Sequence, residues 1–198
     1  AIAVSSNPAF PLGSPAGTEL RGWARAMSTD WIALNCKDLE DAGFAGTCGT
    51  TNNFKVRWNR TTRELSGWAW GGEPVGWISF NCLGDPSVAK TGGDCASGEN
   101  YGVRVESPDA DGVQKFSGFA WNDAIGWITF SPSGGYPESP NHGAELEADG
   151  ATVTGWARAC GVFTNEANCS GTLKKNIYRG GWDGWIKMTN VTLDASVS

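Results

Sequence analysis

Side chains able to act as acids, bases or nucleophiles are scarce in this chain. Its 198 residues include a single histidine, His142, which lies in a proline-rich stretch at residues 137–142. No G-x-S-x-G elbow or other nucleophile context accompanies it, so neither a Ser-His-Asp nor a Cys-His site is predicted. Acidic residues fall mostly in predicted turns, and no pair is brought into register for glycoside hydrolysis. We expect a protein that is not an enzyme and that holds no cofactor.

Metal ligation is not predicted from the spacing of these residues. The chain has no C-x-x-C pair and only one histidine, so it lacks the usual zinc-ligand sets and a covalent haem attachment. Residues 109–112 (Asp-Ala-Asp-Gly) resemble the start of a calcium loop, but the later ligands are missing. Equivalent positions elsewhere in the chain have the chemistry of hairpin turns. The prediction is therefore no metal.

The six cysteines suit disulfide bonds better than a metal site. Cys36 and Cys82 each follow an Asn, and a second cysteine comes 12 and 13 residues later. The predicted pairs are Cys36 with Cys48, Cys82 with Cys95, and Cys160 with Cys169. Other connectivities exist for six cysteines, so these pairs depend on the repeat described below and on proximity. Because local disulfides persist only in oxidising surroundings, we expect an extracellular, cell-surface protein.

Composition and charge exclude several classes of protein. The 28 glycines are about twice the ordinary share, which favours short strands and turns over long helices. The net charge of -6 leaves no basic surface for phosphates, so nucleic-acid binding is not expected. No apolar run approaches the roughly 18 residues of a membrane-spanning helix, so no membrane span is expected.

A tetrapeptide repeats four times, and each copy is followed by a second landmark. The copies, Gly-Trp-Ala-Arg or a close variant, begin at Gly22, Gly67, Gly118 and Gly155, spaced 45, 51 and 37 residues apart. The second landmark is a Trp-Ile pair at residues 31–32, 77–78, 127–128 and 185–186. An alternating segment precedes the tetrapeptide in two or three copies, so each repeat is predicted to be a three-stranded meander.

Four such repeats predict an all-β protein with a β-sandwich or barrel-like body and disulfide-stapled loops. A small β-propeller is the alternative, although unequal repeat lengths favour the sandwich. The predicted divisions are an N-terminal arm at 1–17, repeat 1 with a cystine loop at 18–53, repeat 2 with a cystine loop at 54–100, repeat 3 at 101–142, repeat 4 with an inserted loop at 143–190, and a C-terminal strand at 191–198.

The tryptophans admit two interpretations. Recurrence at a fixed register is typical of core residues in a repeat protein, and the predicted repeat core is Trp23, Trp31, Trp68, Trp77, Phe119, Trp127, Trp156 and Trp185. Trp faces also stack on sugar rings. The aromatic residues that lack a counterpart in every copy are the candidates for facing a ligand: Trp58, Trp70, Trp121 and Trp182. Candidate N-glycosylation sites are Asn59, Asn168 and Asn190.

The repeated motif resembles one found in a group of bacterial surface proteins. Residues 65–70 (Leu-Ser-Gly-Trp-Ala-Trp) and 75–80 (Val-Gly-Trp-Ile-Ser-Phe), echoed at 116–130, resemble the tandem "sGwAWs…GWIsF" repeat of secreted bacterial surface and pilin-like proteins, especially those of candidate-phylum bacteria. The first and fourth copies depart from it by an Arg, and the fourth also by its insertion. The resemblance identifies no catalytic residues. It implies a protein that is exposed on the cell envelope and has an assembling or displaying role.

These observations predict an extracellular structural protein: a subunit of a surface filament, pilus-like fibre or surface layer, or an adhesin-type module. Its partners would be copies of itself, joined through β-strand pairing by the N-terminal arm or by residues 191–197, which alternate like the start of a fifth copy. Pairing of both ends within their own chain stays open. The alternative function is a carbohydrate-binding module that uses exposed Trp residues to bind surface glycans.

Overall fold

A computed structural model describes residues 19–26, 30–49, 53–73, 75–84, 95, 100–174 and 181–194 of the chain. It is 48% strand and 7% helix, which confirms the all-β prediction. The strands are β1 (Glu19–Ala26), β2 (Asp30–Ala33), β3 (Val56–Trp58), β4 (Leu65–Trp70), β5 (Trp77–Ser79), β6 (Val103–Val105), β7 (Gln114–Asn122), β8 (Gly126–Thr129), β9 (Glu145–Leu146), β10 (Thr152–Thr154), β11 (Trp156–Ala159), β12 (Phe163–Asn165), β13 (Ser170–Leu173) and β14 (Trp185–Asp194). Among the described residues, the α-helix α1 (Cys36–Asp41) follows β2, and a 3-10 helix (Cys160–Val162) follows β11.

The body is a closed, eight-stranded antiparallel barrel. Each repeat contributes one hairpin made of its two landmarks, namely β1–β2, β4–β5, β7–β8 and β11–β14. Neighbouring hairpins pair through β2–β4, β5–β7 and β8–β11, and β14 pairs with β1 to close the ring. The predicted barrel-like body is thus confirmed, and the repeats build neither the two layers of a sandwich nor the blades of a propeller.

The predicted three-stranded meanders are also present. β3 pairs with β4, β6 with β7, and β9 with β10, so each supplies the first strand of its repeat. The four copies share one backbone hydrogen bond from the last strand to the landmark glycine: Leu34 to Gly22, Phe80 to Gly67, Phe130 to Gly118, and Met188 to Gly155. This common bond establishes the structural equivalence of the copies.

The landmark glycine is required by the backbone. Gly22, Gly118 and Gly155 have φ of 93°, 82° and 84°, and a Cβ would lie 2.0–2.1 Å from a carbonyl oxygen of a neighbouring strand. A side chain at this position would therefore meet both left-handed strain and a backbone clash. The glycine allows the long second strand of each repeat to bend around the barrel.

Alternation along the strands places small and aliphatic residues inside the barrel. The inward residues of the two landmarks are Ala24, Ala69, Ala120 and Ala157, with Ile32, Ile78, Ile128 and Ile186. An eight-stranded barrel is just wide enough for side chains to fill it. A cavity among Leu20, Trp58 and Leu65 measures only about 10 Å³, and the inward residues form one continuous hydrophobic cluster.

The C-terminal strand closes the barrel within its own chain. β14 pairs with β1 from Ile186 opposite Ala26 to Asp194 opposite Glu19. On its other side, its first half pairs with β11 as the last strand of repeat 4, and its second half pairs with β10. β14 therefore supplies the first strand that repeat 1 lacks. Pairing between chains, which the sequence left open for residues 191–197, is not the role of residues 191–194. The N-terminal arm and residues 195–198 lie outside the described residues.

All three predicted disulfides are present: Cys36–Cys48, Cys82–Cys95 and Cys160–Cys169. The third closes the insertion of repeat 4, whose described part forms the β12–β13 hairpin. Within the described part of the chain, no helix is long and apolar enough to cross a membrane.

Candidate functional site

The outer surface of the barrel carries aromatic pairs at one repeated position. In each landmark hairpin, two outward side chains face each other across the strands. The pairs are Arg25 over Trp31 at 5.7 Å, Trp70 with Trp77 at 4.7 Å, Trp121 with Trp127 at 4.6 Å, and Arg158 over Trp185 at 4.2 Å, measured to ring centroids. Arg replaces Trp without loss of the contact, because a guanidinium binds the face of an indole.

The predicted repeat core is therefore wrong for most of its members. Of the eight residues, only Trp156 and Trp185 are buried, and they too lie on the outer face. Trp23, Trp68, Trp77, Phe119 and Trp127 are partly exposed, and Trp31 is 46% exposed. The physical reason is the alternation: the landmark Ala and Ile fill the narrow interior, so their aromatic neighbours must point outward.

Connections between repeats cover these outer pairs. Phe54, at the end of the connection after β2, contacts Trp77 with ring centroids 5.1 Å apart. Tyr101 contacts Trp127 at 5.2 Å, and the third connection brings Tyr136 within 5.4 Å of Trp185. Each connection thus places an aromatic ring on the hairpin of the next repeat.

Among the described residues, no connection follows the Trp-Ile strand of repeat 4, and Trp31 is exposed. By the same pattern, a connection leaving repeat 4 would cover the hairpin of repeat 1. β14 instead runs without interruption from Trp185 to Asp194. Arg25 lies over the Trp31 ring, which stays 46% exposed. The Arg25–Trp31 pair is consequently the open position of the repeat.

The four candidate ligand-facing residues separate into two groups. Trp70 and Trp121 lie on the outer face and are partly exposed, as expected. Trp58 contradicts the prediction: it is only 6% exposed and belongs to the barrel interior, because Val56 and Trp58 are the inward residues of β3. Trp182 is partly buried against the core, and its indole Nε1 donates to the carbonyl of Trp185 at 3.0 Å.

A groove of about 420 Å³ lies beside the third hairpin. Its lining is Asn100, Tyr101, Gly102, Gly118, Phe119, Trp127 and Ala167. Two glycines leave the floor without side chains, and three aromatic rings form the walls. The Tyr101 hydroxyl donates to Ser79 Oγ at 2.9 Å, and burial raises the pKa of Tyr101 above its ordinary value. The groove offers stacking surfaces and amide or hydroxyl partners, which suits a neutral polar ligand such as a sugar.

One cluster of chemistry-bearing residues was not predicted from the sequence. His142 lies beside Glu145 and Glu147, on the way into β9 and along it. The only signal in the sequence is the alternation Glu-Leu-Glu at residues 145–147, which places both carboxyl groups on one face of a strand. The sequence itself predicts no catalytic site at His142 and no metal, because its proline-rich stretch contains no further ligand at the usual spacing.

The candidate glycosylation sites differ in accessibility. Asn59 is 6% exposed, and its side-chain oxygen accepts hydrogen bonds from the backbone N–H groups of Thr61 and Thr62. This asparagine organises a hairpin turn and is little accessible, and glycosylation there stays a prediction. Asn168 and Asn190 are exposed.

No protein-family model matches the chain, and no solved structure matches it. The likeness of the repeat to that of bacterial surface and pilin-like proteins therefore stays a prediction from the motif residues. The structural features that bear on function are the open Arg25–Trp31 pair and the aromatic groove, both on the outer surface.

Proposed function

We propose that the protein is an extracellular structural module that associates with copies of itself, as a subunit of a surface filament, pilus-like fibre or surface layer, or as an adhesin-type module. The observation that carries this proposal is the open Arg25–Trp31 pair. The three equivalent outer pairs receive an aromatic ring from the chain's own connections, whereas Trp31 offers its surface to another molecule.

The body of the protein suits a load-bearing or displaying role. The interior is filled with aliphatic side chains, three disulfides close the loops, and β14 joins the end of the barrel to its beginning. A body of this kind resists local unfolding at its edges and persists outside the cell. These features support a rigid building block, with contacts made on its outside.

The partner for Trp31 is a second copy of the chain. Phe44 projects from the Cys36–Cys48 loop and is 64% exposed. A head-to-tail contact between this exposed ring in one copy and the open aromatic site of the next extends into a filament when the rotation does not close. In this arrangement Phe44 of one copy contacts Trp31 of the next, as Phe54 contacts Trp77 within the chain. β14 takes no part in it, since its strand partners are internal.

Electron microscopy and static light scattering of the purified protein test this proposal. We expect the native protein to form filaments or lattices, and Trp31→Ala or Phe44→Ala to abolish them while the near-ultraviolet circular dichroism stays that of a folded barrel. Leu173→Ala is the matched control, because Leu173 is 46% exposed on the separate β12–β13 hairpin. A native protein that is monomeric at all concentrations, or a Trp31→Ala protein that still assembles, would contradict the proposal.

The groove beside the third hairpin supports a second candidate function, the binding of surface glycans. The groove places Tyr101, Phe119 and Trp127 around a floor without side chains. Stacking of a pyranose face on one of these rings, with hydrogen bonds from the amide of Asn100, would account for the arrangement. Saturable quenching of tryptophan fluorescence by one class of sugar, lost in Trp127→Ala, would favour this function.

A further inference from the structure

A group of potential metal ligands lies at the start of repeat 4. His142, Glu145 and Glu147 each offer one ligand atom, and these atoms all lie within 4.8 Å of one another. Leu146, between the two glutamates, is 2% exposed and points into the core. Alternation along β9 therefore directs both carboxyl groups to the outer face, where the chain also brings His142.

The burial and charge of this cluster favour a bound cation. The Glu145 side chain is only 15% exposed and that of His142 33% exposed. The recorded polar partner of the Glu145 carboxylate is His142 Nδ1, 3.5 Å away. The charged group facing the cluster from the neighbouring strand is Lys115, the register partner of Glu145 in β7, whose side chain is exposed to solvent. Two carboxyl groups placed this close together on one face favour a bound cation between them.

Neighbouring groups hold the ligands in orientation. His142 Nδ1 lies 2.8 Å from the carbonyl oxygen of Gly143. This contact fixes the plane of the imidazole, whose Nδ1 edge also faces the Glu145 carboxylate. The Thr154 hydroxyl donates to Glu147 Oε1. A Cβ on Gly155 would lie 2.8 Å from His142 Nδ1, so the landmark glycine makes room for the imidazole.

The position of His142 corresponds to a defined position in the other two connections between repeats. Backbone hydrogen bonds align Ala144 with Val56 and Val103, because each donates to the residue at the end of the preceding Trp-Ile strand. His142 therefore stands at the position of Phe54 and Tyr101. In the first two connections a disulfide closes the loop that leads to this position. The third connection has Pro132 where the others have Cys36 and Cys82, and it contains no cysteine.

We propose that His142, Glu145 and Glu147 bind one Zn²⁺ ion, which staples the third connection to β9 in place of a disulfide. One imidazole nitrogen and two carboxylate oxygens suit zinc better than calcium or magnesium, which prefer all-oxygen sites. Zinc binds such atoms at about 2.0–2.2 Å, and water would complete the coordination. The site does not depend on whether the protein assembles.

Isothermal titration calorimetry of the chelator-treated protein with zinc chloride tests this proposal, together with thermal melts. We expect one equivalent of Zn²⁺ to bind and to raise the melting temperature by mass action. His142→Ala and Glu145→Gln should each weaken binding by about 100-fold or more, since each removes one of three ligands. The matched control is Glu138→Gln, which changes an exposed carboxylate of the same connection that pairs with Lys187.

Three outcomes would overturn the zinc site. One is the absence of zinc binding by the folded native protein, and another is equal binding by the native protein and His142→Ala. The third is tighter binding of Ca²⁺ or Mg²⁺ than of Zn²⁺. If His142→Ala fails to fold, Glu147→Gln carries the same test, because this carboxylate lies on the outer face of the strand; unchanged zinc affinity in this variant would contradict the site.

Discussion

Glu19 and Asp194 are register partners in the β1–β14 pair, so the first and last described residues of the chain lie side by side. The two carboxylates do not repel freely, because each has a cation of its own. Glu19 Oε1 lies 3.2 Å from Lys55 Nζ, and Asp194 Oδ2 lies 3.4 Å from Arg21 Nη1. The closing seam of the barrel is therefore bound by ion pairs as well as by backbone hydrogen bonds.

Arg21 is the centre of this seam, and its replacement by Ala should destabilise the fold. Its guanidinium lies 2.8 Å from both Asp38 and Asp41, and Asp38 is only 5% exposed. Removing one partner of a buried ion pair costs about 3–5 kcal/mol, because the other charge stays buried. Urea unfolding should show a loss of about 3 kcal/mol for Arg21→Ala. Lys37→Ala, which breaks an exposed pair with Glu40, should cost less than about 1 kcal/mol; equal losses in both variants would contradict the prediction.

Deletion of residues 191–198 should unfold the protein or strongly destabilise it. The sequence alone had suggested an interchangeable assembly strand, but Val191 and Leu193 are buried against the core. Loss of each such side chain costs about 2–5 kcal/mol, which together approaches the stability of a whole domain. We expect a melting temperature lowered by more than about 10 °C in circular dichroism. Thr192→Ala, on the exposed face of the same strand, is the control, and a shortened chain that melts like the native one would disprove internal closure.

Gly118→Ala and Gly150→Ala should differ sharply, although both glycines have positive φ. At Gly118 a Cβ would lie 2.1 Å from the carbonyl oxygen of Gly102, whereas at Gly150 nothing lies within 4 Å. Gly150→Ala should cost only the left-handed strain of about 1–2 kcal/mol. Gly118→Ala must also move a neighbouring strand, so we expect a loss about twice as large or a failure to fold. Chemical denaturation measures both, and similar losses would show that the landmark glycine is not demanded by the strand contact.

Tyr101 should ionise at higher pH than an ordinary tyrosine. Burial raises its pKa, and the hydrogen bond with Ser79 opposes this shift only in part. The folded state therefore favours the neutral phenol, so this contribution to stability is complete below about pH 10 and is lost as the pH rises through the folded pKa. The difference in phenolate absorbance between the native protein and Tyr101→Phe isolates this titration. A difference curve with its midpoint at or below the ordinary value would contradict the burial of Tyr101.

The spacing of motifs predicted the strands, the meanders and the disulfides, because each depends on local register. It did not predict which face of the sheet is inside. Because successive side chains of a strand point to opposite faces, Trp68 and Trp70 lie on one face of β4, with Leu65 and Ala69 on the other. Hydrophobicity alone predicts that the face with the indole rings is buried. In the closed barrel the other face is inside, because the interior has room for alanine and isoleucine side chains but not for an aromatic ring from every hairpin.

The exposure of Trp31 could not be predicted from the sequence of repeat 1 alone. It follows from a missing connection more than 150 residues away, where the Trp-Ile strand of repeat 4 continues directly into residues 191–194. The absence of any gap between these two segments is visible in the sequence. Its consequence for Trp31 appears only when the barrel closes and makes repeat 4 the neighbour of repeat 1. In the same way, His142 and Glu147 become a cluster only after β9 is placed.

Mixing two assembly-defective variants should restore one contact and no more. Trp31→Ala keeps the exposed Phe44, and Phe44→Ala keeps the open Trp31. In an equimolar mixture, Phe44 of the first protein can contact Trp31 of the second, but the resulting pair presents Ala at both free ends and cannot grow. Analytical ultracentrifugation should therefore show monomers for each variant alone and a species of twice the mass for the mixture. Monomers in the mixture would exclude Phe44 as the partner of Trp31, and filaments in the mixture would show that assembly uses a different surface.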